Sequence, residues 1–259
     1  SGFYSYIFSS IFSEAAKRKY ILNVLLLEKG DVKLTALKQC LDLEADGNIL
    51  LAFTNEEIVK KFLKSNKPCI LVDHEFKNLP IESVNINSYQ ASYDAVTYLY
   101  NKGHRKILFL NHFREWANPS RVNGVRNAIQ DLKILQKNFY EIKMEPKEEL
   151  AYEACVAMKG NLPPVTGIIG FSPDITFGFL RGLEKLGFKV PQDFSIISIG
   201  NINVEGSPKL STVEFDLKLL GQIAVGRLID KINGTNFCVA NEMVRGNVTE
   251  RGSVRDVSK

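Results

Sequence analysis

Short apolar runs recur along the chain and predict buried β-strands. Each run is rich in Ile, Val, Leu and Phe and does not alternate with polar residues. The predicted strands are 21–27, 48–53, 69–72, 106–110, 166–171 and 194–199. Strands that are covered on both faces of a parallel sheet have this pattern.

Amphipathic segments lie between these runs and predict helices. In the segment 88–102 the residues Ala91, Ala95, Val96 and Leu99 share one face, and the segment 217–232 repeats the pattern. Further helices are expected around 4–19, 31–44, 55–65, 119–135, 146–160 and 173–187. Strands that alternate with helices predict an α/β fold with doubly wound parallel sheets and right-handed crossovers.

Composition and charge narrow the class of protein. Of the 259 residues, 45% are hydrophobic and 24% are charged, which is typical of a globular protein. The net charge of +4 is spread along the sequence, so this chain shows no basic cluster of the kind that binds nucleic acid. No run of 18 apolar residues is present, so we expect no membrane span.

The four cysteines are expected to be small buried hydrophobes. Cys40, Cys69, Cys155 and Cys238 form no C-x-x-C pair, and each has apolar neighbours. Unpaired cysteines of this kind favour a reducing compartment, and we expect a cytoplasmic protein.

Catalytic and metal motifs are missing from the sequence. His74, His104 and His112 have no second His or Cys at metal-ligand spacing. The sequence has no G-x-S-x-G elbow, Walker loop or G-x-G-x-x-G. The adjacent acids Glu148 and Glu149 are predicted on an exposed helix. We therefore expect no enzyme activity, no metal and no cofactor.

A ligand site is expected beyond the carboxyl ends of the strands, where open parallel sheets bind ligands. Aromatic faces with a few polar groups at these positions suit a small polar ligand. The candidate residues are Phe3, Tyr4, Asp73, Trp116, Arg121, Asp174 and Asn201. Structural roles remain open for four of them: Trp116 as a cap on an apolar patch, Arg121 paired with a surface acid, Asp174 as a helix N-cap and Asp73 as a turn residue.

Seven motifs in family order carry a resemblance over essentially the whole chain. They read A-D-G at 45–47, K-G-H-R-K-I-L-F at 102–109, R-V-N-G at 121–124, G-F-K-V-P-Q-D-F-S-I-I at 187–197, P-K-L-S-T-V at 208–213, L-L-G-Q-I-A at 219–224 and T-E-R-G-S at 249–253. Each is weak alone, and together they are specific. The chain resembles the effector-binding and dimerisation domain of the lactose/galactose/purine repressor (LacI/GalR) family of transcription regulators.

The resemblance implies two periplasmic-binding-protein-like lobes of type I with a small-molecule effector in the cleft between them. The N-lobe would comprise residues 1–110 and 214–240, and the C-lobe residues 111–213 and 241–259. The effector would be a small polar molecule, a sugar or sugar derivative. Family members are usually homodimers that bind operator DNA through an N-terminal helix-turn-helix domain. That domain and the first strand of the N-lobe are expected to precede Ser1. The alternative is a solute-binding protein of a sugar transport system, which shares the fold.

Effector residues follow from the resemblance one at a time. Phe3 and Tyr4 match an aromatic pair that packs on the effector, Asp73 matches a site acid of the N-lobe, and Arg121 matches an arginine that holds polar groups. Asp174 matches the acid of an N-D pair whose asparagine is Pro173 in this sequence.

Gly200 stands where the family carries an acid that holds a sugar. Asn201 would substitute in part, or Glu115 would supply a displaced carboxylate. Without an acid to accept their hydrogen bonds, the hydroxyls of a sugar would be left unpaired at this position. We therefore do not expect an ordinary free hexose bound in the family's usual way.

Overall fold

The computed structural model describes residues 2–25, 41–42, 44–114, 118–202, 209–235 and 241–258, which fall into two compact units. Unit 1 comprises residues 1–86 and 216–244, and unit 2 comprises residues 87–215 and 245–259. The described helices are α1 (Gly2–Lys17), α2 (Glu56–Lys64), α3 (Ser88–Asn101), α4 (Pro119–Asp131), α5 (Glu148–Ala157), α6 (Pro173–Lys185) and α7 (Leu217–Ile232). The described strands are β1 (Asn48–Leu51), β2 (Cys69–Val72), β3 (Glu82–Ile86), β4 (Ile107–His112), β5 (Phe139–Met144), β6 (Gly167–Gly170), β7 (Ser195–Ile199), β8 (Ser211–Phe215), β9 (Asn241–Val244) and β10 (Gly246–Thr249).

The sheet of unit 1 has the order β1-β2-β3-β9, and all of its pairs are parallel. Helices α1 and α7 pack closely against each other in this unit. A Cβ atom at Gly221 of α7 would lie 2.5 Å from the Ser10 hydroxyl of α1, and that hydroxyl donates to the Lys218 carbonyl at 2.6 Å. The glycine of the L-L-G-Q-I-A motif therefore allows two helix backbones to approach.

The sheet of unit 2 has the order β10-β8-β7-β6-β4-β5. Strands β4 to β8 pair in parallel, and β10 runs antiparallel to β8 at the edge. From β4 the chain moves outward on one side to β5, then returns to the other side of β4 for β6, β7 and β8. The direction of winding therefore reverses between β4 and β6, which is the topological switch point of this sheet.

The amino edge of the unit 2 sheet is closed by internal hydrogen bonds. His104, three residues before the start of β4, is fully buried; its Nε2 lies 3.2 Å from the Arg255 carbonyl and its Nδ1 lies 2.9 Å from the Thr166 hydroxyl. The Ser253 hydroxyl donates to the Ile196 carbonyl at 2.6 Å and accepts the Ser211 N–H at 2.7 Å. The H of K-G-H-R and the S of T-E-R-G-S therefore hold the sheet to the C-terminal segment.

The boundary between the units falls at residue 86 and not at the expected 110. Residues 87–110 belong to unit 2 because β4 pairs with β5 and β6, and because α3 packs on α4. A Cβ atom at Gly124 of α4 would overlap the Tyr89 carbonyl oxygen of α3. Residues 241–244, expected in the C-lobe, belong to unit 1 because β9 pairs with β3.

The predicted α/β class with parallel sheets is confirmed, and most predicted elements lie within a few residues of their expected bounds. The strand expected over 21–27 is wrong for residues 21–25, which form no strand, and the Ile21 side chain is 92% exposed. Residues 26–27 and most of the helix expected around 31–44 lie outside the described residues. Strands β3, β5, β8, β9 and β10 were not among the predicted runs.

Cys69 and Cys155 are buried and free, as predicted, and burial raises the pKa of each thiol to about 12. Cys40 and Cys238 lie outside the described residues. No described helix is long and apolar enough to cross a membrane.

Candidate functional site

The carboxyl edge of the unit 1 sheet is shaped by two residues with positive φ. Ala52 and Asp73 directly follow β1 and β2, and each has φ 59°. The Ala52 N–H donates to the Val72 carbonyl at 2.9 Å, and the Asp73 N–H donates to the Val84 carbonyl at 3.0 Å. The backbone therefore turns directly after each of these two strands, which leaves the Asp73 side chain at the edge where sheets of this kind bind ligands.

Three predicted site residues meet at this edge of unit 1. The Tyr4 hydroxyl donates to Asp73 Oδ2 at 2.8 Å, and the rings of Phe3 and Tyr4 are in edge contact with centroids 5.1 Å apart. Burial, followed by the negative charge of Asp73, raises the pKa of the Tyr4 hydroxyl. Tyr4 therefore stays protonated, and the pair offers carboxylate lone pairs beside an aromatic edge. Asp73 is also a turn residue, which is the structural role that the sequence offered for it.

The carboxyl edge of the unit 2 sheet is organised around Arg121 in the first turn of α4. The helix begins after Asn118, whose side chain accepts the Arg121 N–H at 3.0 Å. The guanidinium donates to the Phe171 carbonyl at 2.6 Å, and its Cζ lies 5.0 Å from the Phe171 ring centroid. Arg121 is only 8% exposed, so its guanidinium is largely buried at this edge.

His112 is a further polar residue at this edge, and the sequence pattern predicted no ligand-binding role for it. It is the last residue of β4, and its ring lies 5.4 Å from the centroids of both Phe113 and Phe171. Its Nδ1 accepts the Arg114 N–H at 2.9 Å. Burial lowers the pKa of the imidazole, so the neutral form with a proton on Nε2 is favoured.

Gly200 and Pro173, the two positions that depart from the pattern implied by the resemblance, lie next to each other in unit 2. Gly200 directly follows β7, with φ 122°, and a Cβ atom there would lie 3.2 Å from Cδ of Pro173 at the start of α6. Next to Pro173, the Ser172 hydroxyl is buried with no hydrogen-bond partner among the residues described. This part of the edge presents a proline ring and a residue without a side chain at the positions where the resemblance implies an amide and an acid.

The remaining predicted residues have separate placements. The side-chain amide of Asn201 makes two hydrogen bonds to the backbone of Phe215. Its Nδ2 donates to the Phe215 carbonyl at 2.7 Å, and its Oδ1 accepts the Phe215 N–H at 2.9 Å. Asp174 lies in the first turn of α6, whose N-cap is Ser172, so the N-cap role left open for Asp174 is wrong. Glu115 and Trp116 lie outside the described residues.

No group of three His, Cys, Asp or Glu side chains that could hold a metal occurs among the described residues. Glu148 and Glu149 accept from Arg181 at 2.7 and 3.0 Å on the surface, as expected of solvated carboxylates. The described edge residues can donate, accept and stack, which is the chemistry of reversible binding.

These features define an α/β ligand-binding domain of the doubly wound kind. The chain belongs to the periplasmic binding protein-like domain family, whose model matches residues 96–254. Two curated relatives are the HTH-type transcriptional repressor PurR of Vibrio vulnificus, 24% identical over 72% of this chain, and catabolite control protein A of Priestia megaterium, 26% identical over 88% of this chain. The chain spans 58% of the length of the first relative and 70% of the second.

A solved structure supports the same fold. The LacI family transcriptional regulator CCPA from Weissella paramesenteroides with bound sucrose superposes with a TM-score of 0.87, at 19% identity over 99% of this chain and 96% of that one. The resemblance to the effector-binding domain of LacI/GalR repressors, and the periplasmic-binding-protein-like fold that it implied, are confirmed.

Proposed function

We propose that this chain is the effector-binding and dimerisation domain of a DNA-binding transcriptional repressor that responds to a small polar molecule. The observation that carries the proposal is the set of hydrogen-bonding and aromatic side chains at the carboxyl edges of both sheets. Tyr4 and Asp73 form this set in unit 1, and Arg121 and His112 belong to it in unit 2. The relative PurR, which is a transcriptional repressor, supports regulation over transport.

The effector in this proposal is a sugar or sugar derivative. The regulator from Weissella paramesenteroides holds sucrose, which supports this class. Gly200 and Pro173 provide no side-chain acceptor at one part of the unit 2 edge. We therefore propose a molecule with fewer hydroxyls on one side than a free hexose, such as a nucleoside or a substituted sugar.

Binding of the effector is proposed to change the affinity for operator DNA through a helix-turn-helix domain encoded with this chain. Such coupling requires that the effector distinguishes two states of the protein. Operators with two half-sites match a two-fold dimer, and the spacing of the DNA-binding domains sets the affinity. The regulator would act in the cytoplasm, and the buried free thiols of Cys69 and Cys155 support a reducing compartment.

We propose that two copies of the chain form a homodimer through the exposed face of α1. This helix buries Ile7 and Ile11, while Tyr6, Phe8 and Phe12 are 55%, 39% and 56% exposed. Exposed apolar patches of this kind mark interaction sites. Sedimentation of the double variant Phe8→Ser, Phe12→Ser should show a shift from dimer to monomer, and a wild-type chain that sediments as a monomer would contradict the dimer.

Calorimetry of the 259-residue chain tests the sensor proposal. The panel comprises D-ribose, D-glucose, sucrose, adenosine, guanosine and glucose 6-phosphate. We expect at least one compound to bind and to change operator binding by the full-length protein. The proposal is wrong if no compound binds and the full-length protein binds no operator. A signal peptide upstream, in place of a helix-turn-helix domain, would favour a transport protein.

A further inference from the structure

The ends of β4 and β6 flank the topological switch point of the unit 2 sheet. Strand pairing between them ends at Leu110 and Gly170, while β4 stays paired with β5 as far as His112. Crevices outside the carboxyl ends of strands at such a point are where doubly wound sheets bind ligands. His112 at the end of β4 and Phe171 just after β6 occupy this position.

The imidazole of His112 is held in one orientation and one tautomer. Its ring is stacked on Phe113 with an interplanar angle of 15° and meets Phe171 edge-on at 65°. The Phe113 N–H donates to the Met144 carbonyl at 2.9 Å, which ties this turn to the end of β5. Because Nδ1 accepts the Arg114 N–H, the proton of the neutral ring must be on Nε2.

The Nε2–H group has no hydrogen-bond partner among the residues that the structure describes. The equivalent group of His104, at the other end of β4, reaches the Arg255 carbonyl. The Nε2–H group of the partly exposed His112 is oriented by two aromatic rings and a backbone hydrogen bond, so it is available to donate to an acceptor of a bound molecule.

We propose that His112 contacts the effector directly, by donating a hydrogen bond from Nε2 to an acceptor atom of the bound molecule. The inference rests on the proposed sensor function and adds a specificity-determining residue to it. The ligand must present a lone pair at this position, as a hydroxyl, ether or carbonyl oxygen or a ring nitrogen does. A ligand that presents an ammonium group there is rejected, because two donors would face each other.

Two substitutions separate contact from positioning. His112→Asn places an amide oxygen near the position of Nδ1, so it keeps the acceptor for the Arg114 N–H but loses the donor at Nε2. His112→Gln reaches the position of Nε2 with an amide N–H and loses the acceptor. If His112 contacts the effector, Asn weakens the affinity for the tightest compound of the panel about 10-fold and Gln weakens it about 3-fold or less. A positioning role gives the reverse order.

A spectroscopic measurement on the wild-type chain keeps the test independent of variant folding. The chain has three histidines, so long-range ¹H–¹⁵N spectra resolve each imidazole, and the His112 variants assign one of them. Addition of the same panel compound should shift the Nε2 signal of His112 and leave that of buried His104 unchanged.

The outcomes separate the two proposals. If a panel compound binds the wild-type chain, but His112→Asn binds it as tightly or the His112 signals do not move, the contact is wrong and the sensor proposal stands. If no panel compound binds the wild-type chain and the full-length protein binds no operator, the sensor proposal fails and the contact falls with it.

Discussion

The two ends of strand β4 carry two histidines with the same tautomer and opposite surroundings. His104 at the amino end is fully buried, and both of its ring nitrogens are bonded to Thr166 and Arg255 of the same unit. His112 at the carboxyl end is partly exposed, and only its Nδ1 is bonded within the described chain. The amino edge therefore uses its polar groups for stability, and the carboxyl edge keeps a polar group for a ligand.

The largest expected contrast comes from removing each ring. His104→Ala should lower the free energy of unfolding by about 3 kcal/mol, because it leaves a cavity and two buried polar groups without partners. His112→Ala should change it by about 0.5 kcal/mol or less, since the ring is near the surface. Urea denaturation of both variants measures the difference. Equal losses would remove the distinction between the two edges.

A pair of serines tests the same contrast at a smaller scale. Ser253→Ala should cost about 2 kcal/mol, because the Ile196 carbonyl and the Ser211 N–H both lose a buried partner. Ser172→Ala at the carboxyl edge should cost nothing, or stabilise by about 0.5 kcal/mol, because its hydroxyl has no partner among the described residues. Chemical denaturation checks both values. A loss for Ser172→Ala near that for Ser253→Ala would refute the assignment.

The pH dependence of stability is a third measure of the amino edge. Burial lowers the pKa of His104, so the folded state keeps the ring neutral while the unfolded chain binds a proton near pH 6.5. The unfolded state therefore binds more protons below pH 6.5, and the free energy of unfolding falls as the pH drops through this range. We expect His104 to contribute a loss of up to about 1.4 kcal/mol per pH unit.

Denaturation at pH 7.5 and pH 5.5 measures this contribution, with His104→Gln as the comparison. His74 and His112 also have lowered pKa values and remain in both proteins, so the difference between the two slopes belongs to His104. Identical slopes would show that His104 does not bind its proton more weakly in the folded state.

The smallest effect is expected in unit 1. Tyr4→Phe removes the hydrogen bond to Asp73, and because the tyrosine is 42% exposed the stability should change by about 0.5 kcal/mol or less. The affinity for the tightest panel compound should fall about 3-fold, because Asp73 loses the donor that orients it. Calorimetry and denaturation on one preparation separate the two effects. A large loss of stability would place this pair with the structural hydrogen bonds of the amino edge.

The sequence predicted strands well where burial and apolar residues coincide. It missed β3, whose buried residues include Glu82, Ser83 and Asn85, because polar residues inside a strand do not form an apolar run. Glu82 lies 3.0 Å from Lys231 and 3.6 Å from Arg227 of α7, and that charge pairing allows its burial. These partners are distant from Glu82 in the sequence, so the pairing can be identified only from the folded structure.

Part of the candidate site could be predicted from the sequence, and the rest could not because it depends on side-chain partners that are distant in sequence. Residues that directly follow strands, such as Asp73, could be placed at the carboxyl edge from the pattern alone. The hydrogen-bond partners of these side chains could not be predicted from the pattern. Asn201, after β7, bonds to the backbone of Phe215 at the end of the neighbouring strand β8, and Arg121 donates to the Phe171 carbonyl. The motifs that carry the family resemblance describe mostly packing, as His104, Gly124 and Ser253 show.

The contact between Gly200 and Pro173 has a consequence for how this protein can change over generations. A side chain at position 200 would have to adopt φ 122° with its Cβ 3.2 Å from the proline ring, so an acid introduced there alone is strained. Replacement of Pro173 removes the obstructing ring first. The strain of φ 122° remains after that change, so the two positions are coupled in degree: a side chain at residue 200 is expected to cost less after residue 173 has changed than before it.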